Sequence, residues 1–361
     1  MNKYPFRSSR SLAILSRLLL DPTDDTAIVQ EVNGIGPQET ENLLAIANSH
    51  HVVVRALRRF AELSSSTANA IGTTWAEEAV NRERKRIANA LSFLRTICVE
   101  LEQAGCNPIV IKSLDHWPDL GSDLDLYANG DPANVVQVMQ QRFQAQLAER
   151  SWGDRLANKW NFIIPDLPEL VEVHIGRLGQ TGEQVQLASS LVARSREIKI
   201  ENDIFRVPAA QDRLMICTLQ RMYRHFYVRL CDIVDTATLL ETEAVDYEAL
   251  DSSAQTAGIW EGVATFLTIV SDYVTAYRGH GIALPPSVTS ASRFGGDQIQ
   301  FGNGFLRVPI LPHSAKLYAS ELTKLLLKGD LSNTARLSLL PGLATAAAIG
   351  QKMTGTDKGI W

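Results

Sequence analysis

The sequence predicts an α+β protein in which a small mixed-sheet core lies between helical flanks. Three observations predict it. Between residues 105 and 208, short apolar or alternating segments stand between turn signals. Ahead of them, helical spacing runs from about Thr74 to Ala104 and stops at Gly105 and Pro108. After Ala209, three- and four-residue apolar spacings dominate. The chain therefore divides into a helical N-terminal region (1–75), a core carrying the sheet (76–208) and a helical C-terminal domain (209–361).

Residues 9–20 and 39–62 carry helical spacing, the second through Leu43, Leu44, Ile46, Ala47, Val53, Val54 and Leu57. A Ser-, Thr-, Ala- and Asn-rich stretch at 62–72 reads as a joint. The long helix that follows has Ile87, Leu91, Leu94, Ile97, Cys98 and Leu101 as its apolar stripe. Pro108 to Ile111 reads as a buried strand. Asp123 to Tyr127 alternates charged and apolar residues, so one face of that strand looks toward a cleft. Asn129-Gly130-Asp131-Pro132 is a turn and helix start, with a helix over 133–150. Two further strands, 160–164 and 170–175, are joined by a hairpin at 165–169. A second small hairpin pairs 198–200 with 204–207. Beyond it, helices are predicted over 209–241, 246–257, 259–278 and 314–328.

The chain has 361 residues, 45% apolar and 21% charged, the composition of a globular protein with a sizeable core. A net charge of −5 gives no basic footprint, so nucleic acid is not expected as a partner. Cys98, Cys106, Cys217 and Cys231 have no C-x-x-C spacing and read as thiols of a reducing compartment, hence a cytoplasmic protein without structural zinc. Lys3, Arg7 and Arg10 precede an apolar run that Arg17 interrupts, an amphipathic helix rather than a leader. The apolar run 337–350 contains Pro341 and is shorter than the roughly 20 residues a span requires, so no transmembrane segment is expected.

Chemistry concentrates at Gly121-Ser122-Asp123-Leu124-Asp125-Leu126. On a strand, positions i and i+2 share a face, so Asp123 and Asp125 stand side by side. Two adjacent carboxylates repel unless a cation lies between them. Magnesium suits such a pair, since it takes oxygen ligands from one or two carboxylates and from phosphates. Glu172, in Val171-Glu172-Val173-His174, is an acid inside an apolar strand and supplies the third carboxylate. A lysine partner, Lys112 or Lys159, is the alternative for it. Upstream, Ile111-Lys112-Ser113 ends a strand in a polar turn that offers backbone N–H groups and a hydroxyl to phosphate. Lys112 neutralises phosphate or pairs with the acids. Arg221, Arg224, His225 and Arg229 recur at helical spacing, either as a face toward a triphosphate or as a solvated face. Arg229 and Asp232 stand at i, i+3 and can pair. Trp117, Trp152 and Trp160 are candidates for stacking on a base, with core packing the alternative.

These residues resemble the polymerase-β-like nucleotidyltransferase superfamily. More narrowly, they resemble the uncharacterised nucleotidyltransferase family found in bacterial biosynthetic clusters. The resemblance rests on Ile111-Lys112-Ser113, Ser122-Asp123-Leu124-Asp125-Leu126, Glu172-Val173-His174, Val207-Pro208-Ala209-Ala210-Gln211-Asp212 and Arg229-Leu230-Cys231-Asp232, and covers about residues 80–280. Two positions depart from the pattern: Lys112 stands where the superfamily has Gly, and Ser113 where the narrower family often has Gly. The resemblance implies transfer of a nucleoside monophosphate from a nucleoside triphosphate to an acceptor hydroxyl, with pyrophosphate leaving. It implies two magnesium ions, or manganese, held by Asp123, Asp125 and Glu172. The nucleotide's phosphates would lie on Lys112, Ser113, Ser122, His174, Arg221 and Arg229. The acceptor, a small molecule, sugar, peptide or protein, is left open, as are the nucleotide and the oligomeric state. Two other classes are kept: a weakly active nucleotide-binding or partner-recruiting module, and a glycosyltransferase using Asp-x-Asp.

Overall fold

A computed structural model describes residues 5–21, 26–343 and 345–346. Lys3 and the end of the apolar run 337–350 lie outside them. The N-terminal helices are α1 (Arg10–Leu20), α2 (Thr26–Asn33), α3 (Pro37–Ser49), α4 (Val53–Ser66) and α5 (Ala70–Gln103). Ser9 caps α1, its hydroxyl accepting from the Leu12 N–H at 3.2 Å. The joint expected at 62–72 is the short link Thr67–Asn69, where the Asn69 side chain accepts the Gly72 N–H and starts α5. The stretch 39–62 is two helices rather than one. His51, at φ +51°, turns the chain between them.

The core continues with β1 (Ile109–Val110), a 3-10 turn at Ser113–His116, β2 (Asp123–Ala128), α6 (Pro132–Phe143), β3 (Gln146–Leu147), α7 (Trp152–Leu156), β4 (Lys159–Ile163), β5 (Leu170–Ile175), α8 (Val185–Arg194), β6 (Arg196–Ile200) and β7 (Asp203–Val207). Helix α6 starts as expected, with Asp131 accepting the Ala133 N–H and Pro132 in the first turn. It ends at residue 143 rather than 150, because Gln144 turns left-handed and the next residues pair with β4. Five strands form one mixed sheet in the order β1-β2-β5-β4-β3, in which only β2 and β5 run parallel. Strands β6 and β7 form the separate hairpin the sequence predicts.

The C-terminal part comprises α9 (Ala210–Thr218), a wider π-helical turn at Leu219–His225, β8 (Tyr227–Val228), α10 (Leu230–Thr242), α11 (Tyr247–Ala257), α12 (Trp260–Arg278), α13 (Pro286–Ala291), β9 (Gln300–Gly302), β10 (Phe305–Arg307), α14 (Ala315–Leu327) and α15 (Leu331–Ser338). Two expectations are corrected here. The single helix over 209–241 is broken at Phe226, φ +53°, and restarts where Asp232 accepts the Arg229 N–H at 2.7 Å. The region is also not wholly helical, since β8, β10 and β9 form a three-stranded sheet.

One contiguous apolar core runs from Leu12 to Leu317, and Leu325, Leu337 and Leu340 form a small satellite. Helix α1 reaches α12 directly, with the Ser16 hydroxyl 2.8 Å from the Tyr273 hydroxyl. Helix α14 buries Glu321 at 1% exposure beside the buried Glu183. Among the described residues no lysine or arginine pairs with either. The Glu321 carboxyl accepts from the Gln184 amide at 2.6 Å. Burial first, then Glu183, pushes the Glu321 carboxyl well above its ordinary value of 4.5. The folded state therefore holds a proton that the unfolded chain releases, and stability falls as pH rises above about 4.5, by roughly 1.4 kcal/mol per unit until Glu321 itself ionises. Glu321→Gln should stabilise the protein at pH 8 and lose that advantage near pH 4.5. Urea unfolding at both pH values checks it, and an equal effect at both would overturn it.

Candidate active site

The site is built by the register of β2 against β5. In that parallel pair Asp125 is the Cα partner of Glu172, and Tyr127 of His174. Across β5, Asn161 faces Glu172 and Lys159 faces His174. Partnered positions share a face, so Asp123, Asp125, Glu172, His174, Lys159 and Asn161 all project from one side. The alternate residues Leu124, Leu126, Val171 and Val173 are fully buried on the other side. Ligand atoms of Asp125, Glu172 and His174 lie within 4.8 Å of one another. Asp123 stands one strand period further along, its carboxylate accepting from the Ser122 hydroxyl at 3.2 Å.

Each buried acid of this group already faces a lysine. Lys112 Nζ contacts Asp125 Oδ1. Lys159 Nζ lies 3.0 Å from Glu172 Oε1 and 3.1 Å from Asp154 Oδ1. The lysine alternative for Glu172 is thus realised through Lys159. Burial, against the pull of Lys112, pushes the Asp125 carboxyl up to about 7, and Glu172 and Asp123 add to the rise. Asp123 is also raised, by burial and then by Glu172. Glu172 sits well below the usual carboxylate range despite its burial, because Lys159 and then Lys112 favour its charge. Burial, followed by Lys112 and Lys159, drives His174 well below 6.5, so its ring is neutral. Both ring nitrogens of His174 are buried without a hydrogen-bond partner, while Asp125 Oδ1 meets the Lys112 ammonium. Unpartnered imidazole nitrogens beside competing carboxylates fit a divalent cation, and Asp125, Glu172 and His174 are the residues that would hold it, with Asp123 adjacent.

Lys112 owes its position to the backbone. It follows β1 at φ +69°, ψ −53°, in a three-residue γ-turn closed by the Ser113 N–H donating to the Ile111 carbonyl at 2.8 Å. That left-handed conformation is the physical reason a glycine suits this position. A side chain held there stores roughly 1–3 kcal/mol of strain, and it delivers an ammonium to Asp125. Lys112→Gly should therefore be more stable than Lys112→Ala by about 1 kcal/mol, the reverse of the usual glycine penalty. Urea denaturation of the two variants decides, and equal or inverted stabilities would refute the strain.

Ser113 is spent on the fold as it stands: its hydroxyl accepts the Asp125 N–H at 2.8 Å and donates to the Asp123 carbonyl at 3.2 Å. Of the basic residues, Arg224 reaches the site. It lines a cleft with Lys112, His174, Gln180 and Gln220. Arg221 does not, being buried against Asp232 at 2.7 Å. Arg229 packs beside Tyr227 and Phe305. Trp160 carries the Arg150 guanidinium 3.9 Å above its ring, Trp117 packs against the core, and Trp152 is exposed.

Sequence reasoning missed a second, small pocket behind Lys112 and Gln220, lined by Asp115, His116, Arg213, Cys217 and Asp235 among others. Its groups are internally matched: Arg213 meets Asp115 at 2.7 Å, and Asp235 bridges His116 and Arg55. The Asp115-His116 pair just after β1 was the available signal.

No helix of the described residues is long and apolar enough to cross a membrane. No curated protein matches the chain. A match to a family described as "uncharacterised nucleotidyltransferase" extends over residues 36–274, taking in α3, α4, the whole five-stranded sheet and most of α12. It begins well before the resemblance at 80–280 and covers more than half of the chain, which thus belongs to the uncharacterised nucleotidyltransferase family.

Proposed function

We propose that this protein moves a nucleoside monophosphate from a nucleoside triphosphate to an acceptor hydroxyl, with pyrophosphate as the leaving group. The observation that carries this reading is the pairing of Asp125 with Glu172 across parallel strands, beside a neutral His174 with two unpartnered nitrogens. A magnesium or manganese ion held there would neutralise charge on the phosphoryl and acceptor oxygens during an in-line displacement. The chain's own residues do the rest. Lys112 and Arg224 supply positive charge where the phosphates enter the cleft. Glu172, ionised well below the usual range, is placed to accept a hydrogen bond from the acceptor hydroxyl and orient it. Asp125, ionised by the cation it would hold, completes the ligand set with Glu172 and His174.

A screen of four triphosphates with magnesium or manganese, against candidate acceptors and the protein itself, tests the proposal by pyrophosphate release. One triphosphate should be consumed with stoichiometric pyrophosphate. Tight binding with no release would favour a nucleotide-binding module, a reading kept by the lysines that already neutralise Asp125 and Glu172. Consumption of a nucleotide sugar would favour a glycosyltransferase. Against that alternative, the described residues before Ile109 form helices alone, with no α/β nucleotide-binding unit.

A further inference from the structure

Three segments without a single Asp or Glu meet beside the cleft: residues 48–54, 221–229 and 300–307. Their union is specific. Strand β10 pairs with β8, Arg307 opposite Tyr227 and Leu306 opposite Val228. The Val308 N–H donates to the Phe226 carbonyl at 2.9 Å. His50 ties the three together, its Nδ1 accepting the Leu230 N–H at 2.8 Å and its Nε2 donating to the Gly304 carbonyl at 2.8 Å. Tyr227 and Phe305 are thereby stacked with centroids 4.4 Å apart. The guanidinium groups of Arg229 and Arg307 each lie 5.5 Å from the Tyr227 ring and 5.8 Å from the Phe305 ring.

Among the described residues no carboxylate pairs with Arg224, Arg229 or Arg307, and Arg229 Nε is buried without a hydrogen-bond partner. Arg221, one turn away, shows the contrast, since Asp232 neutralises it. The nearest acid, Asp232, accepts the Arg229 backbone N–H but gives its ion pair to Arg221 and not to the Arg229 guanidinium. His225 registers the resulting field: burial first, then Arg224, Arg221, Lys112 and Arg229, hold its ring neutral. Positive charge therefore acts on His225 from Lys112 and Arg224 in the cleft and from Arg229 outside it, and Arg307 flanks the same two rings as Arg229. Planar guanidinium forks match phosphate oxygens in pairs, and fixed cations without counter-ions favour an anion. Two such cations balance a dianion, a phosphate monoester, better than a single carboxylate.

We propose that Arg229 and Arg307, flanking the Tyr227–Phe305 stack, bind a phosphate group carried by the acceptor and so select phosphorylated acceptors. That the phosphate belongs to an acceptor rests on the nucleotidyl-transfer reading; anion binding at the two arginines does not. The same chemistry could come from the nucleotide's own triphosphate, so the test separates the two. Inorganic phosphate is titrated calorimetrically into wild type and into Arg229→Gln, Arg307→Gln and the double variant, with and without saturating α,β-methylene-ATP and magnesium. Arg307→Lys keeps the charge and serves as a second probe if the double variant folds poorly. The double variant should bind phosphate at least about tenfold more weakly, with affinity for α,β-methylene-ATP changed less than about twofold and acetate without effect on either. Unchanged phosphate binding overturns the proposal. So does a parallel loss of nucleotide affinity, which would return the two arginines to the triphosphate. Failure of the α,β-methylene analogues of all four triphosphates to bind any of the proteins would instead strike the nucleotidyl-transfer reading and leave the phosphate titration interpretable.

Discussion

Replacing Asp123 and Asp125 together by Asn is expected to lower metal-dependent pyrophosphate release by roughly 10³-fold or more, equivalent to about 4 kcal/mol of transition-state stabilisation. The change removes two charges and almost no volume. It should leave the fold intact, because burial already brings the Asp125 carboxyl to about 7 and makes its neutral form nearly as favourable as its charged form at neutral pH. The sign follows from that raised value. The wild-type carboxyl costs stability as pH rises from the ordinary carboxylate value to about 7, and the cost is constant above that, so the variant should be no less stable than wild type at pH 8. The Asp125 N–H to Ser113 contact, made by the backbone, survives the substitution. Turnover within a few-fold of wild type, in a protein with an unchanged urea midpoint, would exclude these carboxylates from the chemistry.

The largest loss of stability is expected at Asp232. Both partners of its pair with Arg221 are almost fully buried, at 2% side-chain exposure each. Burial alone would raise the Asp232 carboxyl, yet Arg221, His116, Arg229 and the Arg229 N–H bond outweigh it and hold it below its usual value. The same carboxylate accepts the N–H that restarts the chain as α10. Asp232→Ala strands an arginine in the core and should cost about 3–5 kcal/mol. Combining it with Arg221→Met should recover much of that loss, because the double change removes the stranded charge as well. A double variant as unstable as Asp232→Ala would show that capping, not charge, is what Asp232 supplies. The depressed carboxyl predicts that this contribution is present at neutral pH and fades as pH falls below the ordinary carboxylate value.

The parts of this site that follow from short-range periodicity were legible in the sequence. Asp-Leu-Asp-Leu and Val-Glu-Val-His each state which residues share a face, because a strand alternates every residue. Helix limits marked by Asp131 and Gly105 were readable for the same local reason, whereas the start at Asn69 was placed late, at about Thr74. What the sequence does not state is which strands are neighbours and in what register. The pairing of Asp125 with Glu172, and of Lys159 with that glutamate, comes from β5 lying beside β2 with its direction preserved. Arg221 misled for a related cause. Its spacing with Arg224 and Arg229 is helical, but the chain leaves the α-helix at Leu219, and the partner that buries Arg221 sits beyond a two-residue strand. Strand β8 was invisible because its order depends on β10, nearly eighty residues downstream.

The hydroxyl pair joining Ser16 to Tyr273 separates ancestry from autonomy. The family match ends just after that tyrosine and begins after the helix that covers it. A fragment cut to the shared borders would keep the tyrosine and discard its lid, leaving an unmet hydroxyl and bare core surface where Leu12, Leu15 and Leu18 now pack. The opening helix therefore belongs to the same packed core as the matched segment, although the match does not reach it.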